Sequence, residues 1–187
     1  LQDVWNLAWK LDLVNQGLAG ERLLDSYDAE RLPVIRSVIG TTDFLTRAMA
    51  TPHRLAQTLR DAVIPMVSRL APFQHAFVTR LSELGIHYDG SPIVEGPGER
   101  FMDDSILGGG GIRDRFLLFV GADVDKAGHQ AAEMLGREHR DLVAVRSTGR
   151  AGVTLVRPDG YIAFARDKGD GHVAVEEAAR MLDFQTL

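Results

Sequence analysis

The sequence opens with a helical pattern that carries apolar residues on two sides. Over residues 1–17, two stripes recur at helical spacing: Val4, Leu7, Ala8, Leu11 and Val14 form one, and Trp5, Trp9 and Leu13 form the other. A helix that is apolar on two faces is expected to be buried on two faces, between layers of a larger structure. Because Leu1 and Gln2 are poor N-cap residues and no Met precedes them, we expect the chain to start inside a longer protein.

A narrow polar strip made of Asp3, Asn6 and Lys10 separates the two stripes. The residues support two interpretations equally. In the first, the strip is an internal hydrogen-bonded strut between layers. In the second, the start of the helix faces an anionic or electron-rich ligand, whose oxygens would meet backbone N–H groups that lack a partner within the helix.

Composition excludes several classes of function. The 187 residues carry a net charge of -5, with Lys and Arg spread along the chain, which argues against nucleic acid as a partner. No apolar run approaches the ~18 residues of a membrane span, so no membrane partner is expected. The absence of Cys excludes disulfides and thiol catalysis, and a cytoplasmic location is the default expectation.

The first 85 residues read almost entirely as helix. Helical tracts are predicted over 1–17, 21–31, 33–50 and 51–84, with Gly17 as a C-cap glycine and Pro33 ending or restarting the second tract. Residues 86–112 are rich in Gly, Pro, Ser and Asp without a regular period, so they form an extended linker or a long ordered loop. We favour a linker between a helical part, 1–85, and a second domain, 113–187.

The last 75 residues predict an α/β domain. In order, the patterns indicate a strand, a helix, three strands and a helix, over 115–121, 123–139, 142–145, 153–156, 161–165 and 172–182. The first two strands flank a helix and should be parallel, whereas Pro158-Asp159-Gly160 predicts a hairpin. This order is typical of a thioredoxin-like domain with a mixed sheet. Without cysteines after the first strand, the domain is expected to pack or bind and not to exchange disulfides.

Other candidate sites have simpler explanations. His129 and Glu133 lie one helical turn apart, but no third metal ligand is visible, so we interpret them as a surface pair and predict no metal site. The glycines at 108–111 precede a strand and lack a following Lys-Ser or Lys-Thr, which excludes a nucleotide-binding loop. Asp103 and Asp104 are expected to cap or be solvated, and no catalytic residue is assigned.

Several motifs resemble those of class A flavoprotein monooxygenases, the aromatic-ring hydroxylases of the para-hydroxybenzoate hydroxylase type. Gln2-Asp3, Asn6-Leu7-Ala8 and Trp9-Lys10-Leu11 resemble the segment that closes the flavin domain. The next family segment is similar to Leu24-Asp25-Ser26-Tyr27 with Glu30-Arg31 and Pro33-Val34. Tyr88, Ser91-Pro92 and the run 155–163, LVRPDGYIA, are similar to the thioredoxin-like domain of the phenol-hydroxylase and polyketide-hydroxylase branches.

The resemblance implies a function and a cofactor. Enzymes of this family use NAD(P)H to reduce FAD, and the reduced flavin activates O2 for transfer of one oxygen to an aromatic ring. By resemblance, Leu1, Gln2 and Asp3 lie beside the pyrimidine edge of the flavin, which favours the ligand-facing interpretation of the polar strip. The dinucleotide fingerprint and most of the substrate cavity are expected upstream, so this chain alone should neither bind FAD tightly nor turn over.

The sequence therefore favours the C-terminal part of an FAD-dependent monooxygenase that hydroxylates a phenolic or polyketide-like aromatic substrate. The alternative is a stand-alone thioredoxin-like module that serves interaction or dimerisation without catalysis. A homodimer is compatible with either interpretation. The residues do not distinguish NADH from NADPH.

Overall fold

The computed structural model describes residues 2–50, 85–88, 90–96, 98–102 and 115–186. Its elements, in chain order, are α1 (Gln2–Asn15), α2 (Arg22–Ala50), β1 (Phe116–Gly121), α3 (Lys126–Glu138), β2 (Val143–Thr148), β3 (Val153–Val156), β4 (Ile162–Arg166) and α4 (Gly171–Thr186). The chain forms two compact units, one of Leu1–Arg31 with His87–Leu187 and one of Leu32–Ile86.

Three of the sequence-based expectations fall outside the described residues. They are the helical tract predicted over 51–84, the glycine run at 108–111 and the acidic pair Asp103-Asp104. The predicted domain limits at 85/86 and 112/113 stay predictions.

The sheet has four strands in the order β2-β1-β3-β4. β1 pairs with β2 in parallel, with Phe116 opposite Val143, and pairs with β3 in antiparallel register. β3 and β4 are antiparallel and form the predicted hairpin. The predicted α/β class with a mixed sheet is therefore confirmed, as are the parallel βαβ unit and the hairpin. Between β1 and β2, α3 starts at the N-cap Asp125, whose side chain accepts a hydrogen bond from the backbone N–H of Gly128.

β1 is buried on both faces, which explains its continuous apolar sequence. Phe116, Leu118 and Val120 belong to the main core together with buried residues of α3 and α4. Leu117 and Phe119 point to the opposite face and form a smaller cluster with Phe101, Val156 and partly buried neighbours. The two faces of β1 thus pack against different parts of the chain.

α1 ends as predicted, whereas α2 does not. Gly17 has a φ of 71°, and the N–H of Leu18 bonds to the carbonyl of Leu13, which is the arrangement of a glycine C-cap. Pro33 was expected to end or restart the second helix, but α2 continues through it. Proline removes one helical hydrogen bond, which 29 residues of continuous helix evidently tolerate at this exposed position.

Within this chain, α1 is buried on one side and not on both of its apolar faces. Val4, Trp5 and Leu11 are exposed by 69%, 52% and 47%. Trp9 and Leu13 are buried, and Trp9 makes an edge-to-face contact with Phe116 at a centroid distance of 5.7 Å. The predicted polar strip faces inward beside Trp9 and Leu13, and hydrogen-bonding or charged partners meet each of its residues there.

The described parts of residues 87–102 lie against the β3–β4 hairpin. The N–H of Glu95 bonds to the carbonyl of Ala163, the N–H of Phe101 to that of Gly160, and the N–H of Ile162 to that of Glu99. Buried side chains in this segment include Tyr88, Ser91, Ile93 and Phe101. Despite its irregular composition, this stretch contributes to the core of its compact unit.

Candidate functional site

Two residues of the polar strip of α1, Asn6 and Lys10, belong to a buried hydrogen-bond network centred on Glu30 of α2. Glu30 Oε2 accepts hydrogen bonds from Asn6 Nδ2 at 2.6 Å and from Lys10 Nζ at 2.9 Å. Its other oxygen accepts one from Ser91 Oγ at 2.6 Å. Asn6, Lys10 and Glu30 are each exposed by 3% or less. One carboxylate thus joins α1, α2 and the loop that contains Ser91.

Arg157, at the end of β3, completes the network from the hairpin side. Its guanidinium contacts both oxygens of Glu30, Nη1 to Oε1 at 2.5 Å and Nη2 to Oε2 at 3.0 Å. It also donates to both oxygens of Asp159, at 3.0 Å and 2.5 Å. Its carbon Cζ lies 5.2 Å from the ring centre of Trp9 and 5.0 Å from that of Tyr88. A planar, fully buried cation with two carboxylates and two rings is held in one orientation.

The hairpin turn brings Asp159 into this network. Gly160 has a φ of 84°, and its N–H bonds to the carbonyl of Arg157 at 2.9 Å, which closes the turn predicted from Pro158-Asp159-Gly160. Asp159 Oδ2 then lies 3.2 Å from Asn6 Nδ2. Because carboxylate oxygens only accept hydrogen bonds, the amide nitrogen of Asn6 must face both Glu30 and Asp159.

The network balances its charges in a dry environment. Burial lowers the pKa of Lys10 to about 8, although the carboxylate of Glu30 opposes this effect. Burial alone would raise the pKa of Glu30, but the charge and hydrogen bonds of Arg157, with smaller effects of Lys10 and Ser91, lower it to about 2. Burial also works against the charge of Arg157, yet Asp159 and Glu30 raise its pKa above the usual range. At neutral pH the charges of Lys10 and Arg157 therefore face the carboxylate of Glu30 inside the protein, as in an internal junction.

The residues predicted to lie near a cofactor are found at the start of α1, except Leu1, which falls outside the described residues. Gln2 and Asp3 are half-buried. Asp3 Oδ1 accepts a hydrogen bond from Arg31 Nε at 2.5 Å, and Arg31 Nη1 donates to Tyr88 Oη at 3.1 Å. The structure thus separates the polar strip into an inner pair, Asn6 and Lys10, which forms an internal strut, and Asp3, whose carboxylate stays partly accessible.

Sequence reasoning missed Glu30, Arg157 and Asp159 as members of a site. All three nonetheless lie in the motifs that carry the family resemblance, and Arg157 stands next to the apolar run Val153–Val156. Charged residues adjoining buried strands are rarely buried without partners, so this placement was the available signal. Which carboxylate Arg157 pairs with depends on a contact across 127 residues, which no local pattern identifies.

The remaining candidates are surface features. Glu133 pairs with Arg137 at 3.2 Å on the exposed side of α3, one turn from His129. Across the described ranges, no group of three His, Asp or Glu side chains is placed to hold a metal ion. In the same part of the chain, no helix is both long and apolar enough to cross a membrane.

Comparisons with known proteins agree with this arrangement of motifs. The sequence model of the family described as "FAD binding domain" matches residues 1–42. The 3-(3-hydroxy-phenyl)propionate/3-hydroxycinnamic acid hydroxylase of Escherichia coli is 29% identical over 182 residues, which cover 94% of this chain and 33% of that enzyme. The 6-methylpretetramide 4-monooxygenase of Streptomyces rimosus is 27% identical, and the match covers 87% of this chain and 37% of that protein.

Solved structures show the same fold. The rebeccamycin biosynthetic enzyme RebC with reduced flavin matches 94% of this chain and 39% of its own with a TM-score of 0.64 and 21% identity. The match to aklavinone-11 hydroxylase, in a complex with FAD and aklavinone, covers 96% of this chain and 38% of that protein. Its TM-score is 0.56 and the sequence identity is 23%. The chain spans about a third of the length of the curated relatives it matches. The resemblance read from the sequence is confirmed: over almost its whole length, this chain is similar to proteins named as hydroxylases and monooxygenases, and its first 42 residues match the FAD binding domain family.

Proposed function

We propose that this chain is the C-terminal part of an FAD-dependent monooxygenase that hydroxylates a phenolic or polyketide-like aromatic substrate with NAD(P)H and O2. The curated relatives are named as hydroxylases or monooxygenases of aromatic compounds, and the family match at residues 1–42 implies FAD. We assign the protein to the cytoplasm. In this reading residues 113–187 form a cysteine-free thioredoxin-like domain, which the strand order and the parallel-then-antiparallel pairing support.

The observation that carries the proposal is the convergence of three family-like motifs in one buried network. Asn6 and Lys10 come from the first motif, Glu30 from the second, and Arg157 with Asp159 from the third. Contacts that join residues 153 positions apart require that all three segments fold together. The parts of the chain that resemble the flavin domain and the C-terminal domain thus form one structure, as a single enzyme requires.

The start of α1 has the donors that a flavin would need. In an α-helix the first N–H groups have no intrahelical partner, and the positive end of the helix dipole favours negative charge. Backbone N–H groups of Leu1, Gln2 and Asp3 would hold the pyrimidine edge of FAD, which supplies the oxygen-transfer chemistry when bound. The partly accessible Asp3, fixed by Arg31, would orient this turn.

The test is to express the complete coding sequence that contains this chain and to compare the intact mass with that of the chain. We expect a larger, yellow protein that oxidises NAD(P)H faster when phenolic substrates are added and that converts them into hydroxylated products. A protein without bound flavin or NAD(P)H oxidation would overturn the proposal. A colourless protein of only this size would favour the interaction or dimerisation module.

Two variants on the same helix test the assignment of the cofactor-proximal turn. Asp3→Asn removes a charge at the first turn, whereas Asp12→Asn removes one from an exposed position whose hydrogen bond, among the described residues, is a local one from Gln16. We expect weaker FAD binding in the complete protein for Asp3→Asn and unchanged binding for Asp12→Asn. Equal FAD affinity in both variants would contradict the role of Asp3.

A further inference from the structure

One face of α1 is held by directional polar contacts over its first three turns. Asp3, Asn6 and Lys10 follow each other at helical spacing, and each bonds to a residue outside α1, with distances between 2.5 and 3.2 Å. Hydrogen bonds weaken steeply with distance and misalignment, whereas apolar contacts tolerate sliding. This face therefore fixes the position and rotation of α1 more closely than an apolar face would.

Arg157 links this face to the C-terminal hairpin by two routes. The direct route runs through Glu30, which Arg157 holds with two hydrogen bonds and which in turn binds Asn6 and Lys10. The second route runs through Tyr88, whose ring packs against the Arg157 guanidinium and whose hydroxyl accepts from Arg31, the partner of Asp3. Both routes end on α1, the second on its first turn.

We propose that Arg157 and Asp159 are positioning residues of the C-terminal hairpin that hold the first turn of α1 in the geometry required to bind FAD. This inference rests on the function proposed above. Arg157 and Asp159 act through Glu30, Asn6 and the Tyr88–Arg31–Asp3 chain and do not themselves touch the cofactor. The C-terminal domain thereby contributes to the flavin site without supplying a residue to it.

The experiment compares Arg157→Lys with Arg137→Lys in the complete protein. Lysine keeps the charge at position 157 but cannot bind two carboxylates with a planar fork, whereas Arg137 is exposed on α3 and pairs only with Glu133 among the contacts described. The first readout is hydrogen exchange of the apoprotein at the amides of Asn6 and Leu7, which close the first turn in an α-helix. The second is the dissociation constant of FAD.

For Arg157→Lys we expect exchange at these two amides to rise about tenfold more than in strands β1 and β3, and FAD to bind about tenfold more weakly, which corresponds to about 1.4 kcal/mol. Arg137→Lys should change neither. Unchanged exchange and FAD affinity, or a uniform rise in exchange along the whole chain, would overturn the proposal.

Asp159→Asn provides the same test if Arg157→Lys does not fold, because it removes one charge and keeps the shape of the turn. It is expected to shift both readouts in the same direction. If the wild-type protein bound no FAD, the proposed function would fail, while the exchange at α1 would still decide whether the hairpin positions the helix.

Discussion

The two sides of α1 differ in a way that hydrophobicity alone would not suggest. Its polar side is buried, with Asn6 and Lys10 exposed by 1% and 0%, whereas Val4 and Trp5 on the other side are mostly exposed. The buried side is stable because each charge on it has a partner and the network is neutral. The exposed apolar side has no such compensation within the described residues. The partners of Asn6 and Lys10 therefore allow these polar residues to face inward beside Trp9 and Leu13.

The largest loss of stability is expected when the buried side of α1 loses Glu30, its central hydrogen-bond acceptor. Glu30→Ala would leave two buried cations with Asp159 as the remaining carboxylate, and we expect a loss of about 3–5 kcal/mol in the free energy of unfolding. The control Glu133→Ala breaks an exposed pair and should change it by less than about 0.5 kcal/mol. Urea denaturation of both variants measures the difference. Equal free energies of unfolding for the two variants would mean that the Glu30 network does not hold α1 and the C-terminal hairpin together.

The two tryptophans of α1 provide the next comparison. Trp9 is 5% exposed and contacts Phe116, so Trp9→Ala should cost about 3–5 kcal/mol through lost packing and a cavity. Trp5→Ala alters an exposed side chain and should change stability by about 0.5 kcal/mol or less in this chain. Thermal or urea unfolding of the two variants would measure both changes in stability. A similar loss for both would indicate that the outer side is covered in solution.

Acid should weaken the Glu30 network on the buried side of α1. The pKa of Glu30 lies at about 2 in the folded protein and at 4.5 as its ordinary value, so the unfolded chain binds the proton more readily. The stabilisation is complete above about pH 4.5 and is lost as the pH falls towards 2. Free energies of unfolding measured across this range should decline more steeply for the wild type than for Glu30→Gln. Parallel curves would show that Glu30 titrates normally.

The smallest change in stability is expected for substitutions on the exposed side of α1. Leu11 is 47% exposed, so Leu11→Gln should alter the stability of this chain by about 0.5 kcal/mol or less. If the complete protein covers this side with its flavin domain, the same substitution there should cost about 1.5–3 kcal/mol, the value of burying such a side chain. Unfolding of both proteins in urea gives the two values. Equal, small effects would mean that the outer side stays exposed in the complete protein.

Local patterns predicted most of the elements but not the connections between them. The helical period gave α1, α3 and α4, the apolar runs gave the strands, and Pro158-Asp159-Gly160 gave the hairpin, all within a few residues of the observed limits. The continuation of α2 through Pro33 was not predictable from the same rules, because a local rule does not weigh one lost hydrogen bond against the rest of a long helix. The polar strip was singled out as a polar cluster, but its partners were not identified.

What the sequence determined by itself was most of the elements, the mixed α/β class, the absence of cysteine and the resemblance to flavoprotein hydroxylases, since each depends on local spacing, composition or motif identity. The tertiary structure alone decided which side of α1 is buried and that Glu30, Arg157 and Asp159 form one network with Asn6 and Lys10. The reason is physical: a buried charge is tolerable only where an opposite charge meets it, and such meetings are set by how distant segments pack.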